Sequence, residues 1–79
     1  MVSMSTETVD ARHLLCPLPV IRTQDTLARL ASGDSVRVLC TDPGAIHDIP
    51  AWCRVHGHVV CDIAEQDGEI VITVRVGDT

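Results

Sequence analysis

Hydrophobic and polar positions alternate most regularly toward the C-terminal end of the chain. Over residues 69–76, Ile70, Ile72, Val74 and Val76 fall on one side and Val71, Thr73 and Arg75 on the other. That period of two marks a strand with one buried face. Residues 58–64 read as the preceding strand, with Val59, Cys61 and Ile63 in a common, core-facing phase. Gln66-Asp67-Gly68 between the two carries a hairpin signal. Further upstream, Ser35–Cys40 sets Val36, Val38 and Cys40 against Arg37 and Leu39, and Thr6–Ala11 makes a short first strand in which Thr8 and Val9 supply β character.

Between these strands the period lengthens. Over residues 20–31, Val20 with Leu27 and Ile21 with Ala28 recur at seven residues, while Arg22, Asp25 and Arg29 take the other side. Ser32-Gly33-Asp34 stops that helix. Thr41-Asp42-Pro43-Gly44 opens a second one, with Asp42 as its cap and Pro43 at the first helical position. Pro50 interrupts it, so the expectation is that Asp48 recaps and the main helix restarts near Ile49 and runs to Gly57. The order β-α-β-α-β-β predicts an α/β (α+β) two-layer sandwich, a four-stranded mixed sheet with two helices packed on one face. The other face then stays partly solvated, which fits Arg37, Asp62 and Arg75. Residues 1–79 read as a single domain, with residues 1–5 a flexible tail.

Composition narrows the function classes. The chain has 79 residues, 46% of them hydrophobic and 22% charged, which is a globular composition. Eleven acidic residues stand against six arginines and no lysine, for a net charge of −5. This excludes a Schiff-base lysine and a polybasic membrane patch, and it argues against direct nucleic-acid binding, which needs a basic stripe. Trp52 is the single aromatic residue, so base-stacking platforms are excluded and the core is aliphatic. No apolar run approaches the roughly 18–20 residues that cross a bilayer. The N-terminal residues lack a charged n-region and an apolar h-region, so the expected location is the cytoplasm. In that reducing setting the cysteines Cys16, Cys40, Cys53 and Cys61 are catalytic, metal-bound or buried thiols rather than disulfides.

The most specific chemistry lies in Cys16-Pro17-Leu18-Pro19. A residue before proline is pushed out of helical geometry, so Cys16 is expected at the N-cap, Pro17 at the first helical position and Pro19 in the first turn. The prolines make a stiff pedestal for a sulfur at the positive end of a helix, where the thiolate is favoured. The depression of the pKa is modest, because two backbone donors are lost to the prolines and only Leu18 and Val20 remain. Arg12, His13 and Arg22 are the only cations close in sequence.

The run from Asp10 through Cys16-Pro-Leu-Pro, then Asp42-Pro-Gly-Ala, then Asp48-Ile-Pro-Ala-Trp-Cys53 and Gly57-His58, resembles the TusA/SirA family of small sulfur carriers. The likeness spans roughly Val9 to Val76. It implies a two-layer α/β sandwich and a sulfurtransferase whose cysteine, here Cys16, accepts sulfane sulfur as a persulfide and relays it. Pro17 and Pro19 are the supporting residues. The implied partners are a donor of cysteine-desulfurase or rhodanese type and an acceptor protein serving tRNA thiolation, cofactor assembly or sulfur oxidation. The resemblance implies no cofactor, and a carrier passed between partners is expected to be a monomer. His13 stands where the family usually has glycine, which bears on the shape of the approach loop. Two other readings use the same loop: a non-enzymatic regulatory or interaction module, and a thiol redox protein in which Cys40 resolves Cys16.

Elsewhere, Cys53, His56, His58 and Cys61 have spacing reminiscent of a zinc site. Residues three apart on a strand point to opposite sides, so His58 and Cys61 do not converge, and no metal is expected. Cys40, Cys53 and Cys61 read as buried structural thiols. His47, His56 and His58 read as surface or turn residues, and Asp10 and Asp48 as turn and cap residues.

Overall fold

The computed structural model of the protein describes residues 6–15 and 17–77. Six elements follow in the order anticipated: β1 (Thr6–Ala11), α1 (Leu18–Leu27), β2 (Ser35–Cys40), α2 (Ala45–His56), β3 (Val59–Gln66) and β4 (Glu69–Arg75). The sheet order is β1-β2-β4-β3, with β1 parallel to β2 and the other neighbours antiparallel. This is the expected mixed four-stranded sheet. The crossover that makes β1 and β2 parallel is α1 itself.

One register row explains the core. Val9, Val38, Ile72 and Ile63 stand side by side across the four strands. Val9, Val38 and Ile72 are buried, and they meet Leu27 of α1 and Ala45, Ile49 and Cys53 of α2 in one cluster. Fully burying an Ile such as Ile49 or Ile72 contributes about 1.5–3 kcal/mol each. The next row, Thr8, Arg37, Thr73 and Asp62, faces the opposite way and is polar, while Leu39 and Val71 on the same face are half-buried, so that face is partly solvated as expected. The N-terminal tail and Cys16 lie outside the described residues.

Four local features depart from the sequence reading. Helix α1 ends at Leu27, not at residue 31, and closes with tighter bonds from Arg29 N–H to the Thr26 carbonyl and from Leu30 N–H to that of Leu27. Its buried stripe is Pro19, Thr23, Thr26 and Leu27, while Ile21 and Ala28 face solvent. Thr23 and Thr26 can be buried because each hydroxyl donates back to its own helix, to the Pro19 carbonyl at 2.8 Å and the Arg22 carbonyl at 3.1 Å.

Helix α2 is continuous across Pro50 and begins at Ala45 behind Gly44. Asp48 does not recap it, and Pro43 precedes it. Asp42 instead closes an Asx turn, its Oδ1 accepting the Gly44 N–H at 3.0 Å. Proline forgoes the bond to the Ile46 carbonyl, but Ala45, Ile49 and Cys53 form one buried stripe on either side of it. Packing on the sheet outweighs the local break. The C-terminus behaves as expected: Gly57 takes φ 79°, and the His58 N–H reaches the Cys53 carbonyl at 2.9 Å.

The fourth departure is in β3. Its register to β4 shifts between Val60 and Asp62, leaving Cys61 as a bulged extra residue. The bulge changes the phase, so Val60 and Ile63, not Val59 and Cys61, share the helix-facing side with Val74 and Ile72. Cys61 is exposed. Its reading as a buried core thiol is therefore wrong.

Candidate functional site

At Ala11, paired with Cys40, β1 leaves the sheet and the chain turns toward α1. Arg12 folds back on Asp10, its backbone N–H donating to Oδ1 at 3.1 Å and its guanidinium donating to both carboxylate oxygens at 2.9 Å. The Arg12 side chain bonded to Asp10, with its backbone N–H adding to it, holds that carboxyl down to about 2. Arg12 also lies 3.6 Å from Glu69 of β4, so its charge is engaged by two carboxylates. His13 then adopts φ 65°, the left-handed region. This is the conformation a glycine takes most readily, and the imidazole-bearing residue keeps it. The His13 N–H donates to the Thr41 hydroxyl at 2.8 Å, and the Leu14 N–H closes a turn onto the Ala11 carbonyl at 3.3 Å.

Cys16 lies outside the described residues, but its neighbours define the setting. Leu15 is 73% exposed and Pro17 is exposed. The Leu18 N–H donates to the Leu15 carbonyl at 2.9 Å, and the Ile21 N–H to the Pro17 carbonyl at 3.1 Å. Pro17, at φ −97° and ψ 16°, is thus the N-cap and Leu18 the first helical residue, one position later than expected. The shift follows from Pro17, whose ψ is not yet helical while its carbonyl already accepts the first helical bond. Pro19 lies in the first turn and is buried, as a pedestal requires. The Leu18 N–H is taken by the backbone, which removes one of the two donors left for a thiolate by the sequence reading. Leu18 and Ile21 expose apolar surface beside Leu15.

The remaining thiols divide cleanly. Cys40 and Cys53 are buried. Burial, then the charge of Asp42, pushes the Cys40 thiol up to about 11, and burial pushes Cys53 up to about 11 as well. A protonated, fully enclosed Cys40 is a poor resolving partner. The zinc-like spacing is not assembled, because Cys53 faces the core while His56 and Cys61 face solvent.

Sequence reasoning missed three contacts of the histidines, two of them on Trp52 and one with Thr41. His56 and His58 are not isolated surface residues: both stack on Trp52, with ring centroids 4.5 and 5.4 Å away. The spacing of Trp52 and His56, four apart on a helix, signals that first contact. The third is Thr41 with His13, which joins residues 28 apart and leaves no local signature.

The comparisons with known proteins agree with this architecture. Residues 7–76 match the family described as Sulfurtransferase TusA. A relative from Neisseria meningitidis serogroup A, named as a candidate sulfur carrier protein, is 46% identical over 72 residues, covering 91% of this chain and 97% of its own. The sulfur carrier protein TusA of Allochromatium vinosum is 33% identical over 67 residues, covering 85% of this chain and 88% of its own. The crystal structure of a SirA-like protein from Desulfitobacterium hafniense superposes with a TM-score of 0.81 at 31% identity, covering 91% of this chain and 99% of the other. A match along almost the whole chain, on the same fold, makes this protein a member of the TusA sulfurtransferase family.

Proposed function

We propose that the chain is a sulfurtransferase that takes sulfane sulfur as a persulfide on Cys16 and relays it to an acceptor protein. The observation that carries this reading is the contrast among its cysteines. Cys40 and Cys53 are enclosed and held protonated, whereas Leu15 and Pro17, on either side of Cys16, are exposed at the start of α1. Pro17 and Pro19 support the site by stiffening that start, and a helix N-terminus favours the thiolate.

The chemistry is thiol exchange and involves no net oxidation. The Cys16 thiolate attacks the terminal sulfur of a donor persulfide. A bond forms from Cys16 to that sulfur, the donor's S–S bond breaks, and the donor leaves as a thiolate. The outer sulfur on Cys16 is then attacked by an acceptor thiolate, and Cys16 leaves in the same way. Any proton on the entering thiol goes to solvent. The donor is of cysteine-desulfurase or rhodanese type, and the acceptor belongs to tRNA thiolation, cofactor assembly or sulfur oxidation. The exposed Leu15, Leu18 and Ile21 favour a rival reading, in which the loop docks a partner and carries nothing.

Mass spectrometry after incubation with a persulfide donor decides between them. Sulfur transfer requires the Cys16 peptide to gain one sulfur atom and Cys16→Ser to gain none with its fold intact. An unmodified Cys16 leaves docking, and a Cys16–Cys40 disulfide leaves redox chemistry; either overturns the proposal.

A further inference from the structure

We propose that Thr41 is a positioning residue for Cys16, holding through its hydroxyl the loop that presents the thiol. This rests on the reading of Cys16 as the sulfur-bearing residue. The argument begins where two parallel strands part. The ladder between β1 and β2 ends at the pair Ala11 and Cys40, after which one chain leads to α1 and the other to α2. Beyond that point His13 N–H meets the Thr41 hydroxyl at 2.8 Å. A side chain thus takes over from the backbone ladder, one residue past its end on β2 and two past it on β1.

The bond matters because of what it holds. His13 sits at φ 65°, a conformation that a residue with a Cβ adopts only when its surroundings impose it. The surroundings on one side are the Arg12 contacts with Asp10, all within three residues. Thr41 is the tie from the other side, and it comes from 28 residues away. Its own loop is braced by Asp42, whose carboxylate takes the Gly44 N–H at 3.0 Å, so the acceptor is fixed as well as the donor. Thr41 itself is half-buried, so the acceptor side of the bond is set into the fold although the His13 side is exposed. Only two residues, Leu14 and Leu15, separate His13 from Cys16, and the prolines beyond transmit rather than absorb a change in the direction of the chain. Loss of the hydroxyl therefore alters how the thiol meets the start of α1 and how it meets a partner.

The test compares Thr41→Val, which removes the hydrogen-bonding group at nearly constant shape, with Thr41→Ser, which keeps it. Both are made in a Cys61→Ser background, so that the exposed Cys61 does not compete for reagent. Iodoacetamide alkylation of Cys16 is followed against pH, with amide exchange at His13 and sulfur transfer to a small acceptor thiol measured on the same samples. In Thr41→Val, exchange at His13 should rise about tenfold, the worth of one hydrogen bond. The alkylation midpoint should move up toward the ordinary thiol value of about 8.5, and transfer should slow. Thr41→Ser should restore all three. A Thr41→Val protein that melts lower but keeps the wild-type alkylation profile makes Thr41 merely structural and overturns the inference. So does a Thr41→Ser protein that behaves like the valine variant. Thr41→Ala gives the same comparison if valine crowds the loop. Failure of the wild type to take up sulfur overturns the carrier reading instead, while alkylation, which needs no sulfur donor, still decides the role of Thr41.

Discussion

The guanidinium of Arg12 grips the carboxylate of Asp10 two residues away with a fork of two hydrogen bonds, both 2.9 Å long. The fork spans the point where β1 gives way to the cysteine loop, so it fixes the direction in which the chain leaves the sheet. Both side chains face solvent, which makes the pair a local guide rather than a large source of stability.

Its pH signature is specific. The Arg12 bonds lower the Asp10 carboxyl from 3.8 to about 2. Between those values the unfolded chain binds the proton and the folded one does not, so stability rises with pH across the window. The contribution is complete above about pH 4 and is lost as the pH falls toward 2. Urea titrations of wild type and Asp10→Asn should therefore differ by a constant small amount at neutral pH, and the two curves should converge in acid. High salt should narrow the gap at neutral pH. A gap that persists unchanged at pH 2 would show that the charge of Asp10 has no part in it.

The cysteines give a contrast in stability. Cys53 is 1% exposed beneath α2, so Cys53→Ser buries a hydroxyl in an apolar site and should cost about 1–3 kcal/mol. Cys61 stands on the β3 bulge in solvent, and Cys61→Ser should leave the urea midpoint within error of wild type. An equal loss in both variants would mean that the bulge does not turn Cys61 outward.

These residues also show what could be read in advance. The alternation in β4 was legible because that strand is paired on both sides and keeps one register along β2. The same rule fails in β3, an edge strand, because one inserted residue at Cys61 inverts the phase and leaves no mark in composition. Helix α1 misleads for a different reason. Thr23 counts as polar in any periodicity, yet it is fully buried with its hydroxyl bonded to the Pro19 carbonyl. At the candidate site the prolines announce a helix start, and the structure has one there. The tie from Thr41 to His13 was invisible, since it depends on how two parallel strands diverge after pairing.

At the other end of the molecule His58 joins α2 to the last described residues of the chain. Its Nδ1 accepts the Gly77 N–H at 3.1 Å, and its ring lies on Trp52. Gly77 is crowded there: a Cβ on it would run into the Gly57 carbonyl. The acceptor role needs a neutral ring, because a proton on Nδ1 would face another N–H. The surroundings agree. Burial first, and His56 second, hold His58 below its ordinary value of 6.5. Besides His56, the polar side chains lining the adjoining grooves are Gln24 and Ser32, which carry no charge, and the guanidinium-bearing Arg54. Between the lowered folded value and 6.5 the unfolded chain binds more protons than the folded one, so stability rises with pH there. It is present in full above about pH 6.5 and declines as the pH drops through that window. Thermal unfolding from pH 8 to pH 5 should show this decline in the wild type. His58→Gln offers Gly77 a neutral amide oxygen at every pH, so its curve should be flatter, and the difference between the two should change with a midpoint below 6.5. Protection of the Gly77 amide against hydrogen exchange should follow the same curve in the wild type and lose its pH dependence in the variant. Parallel stability curves for the two proteins would leave the His58–Gly77 bond without a role in the acid sensitivity.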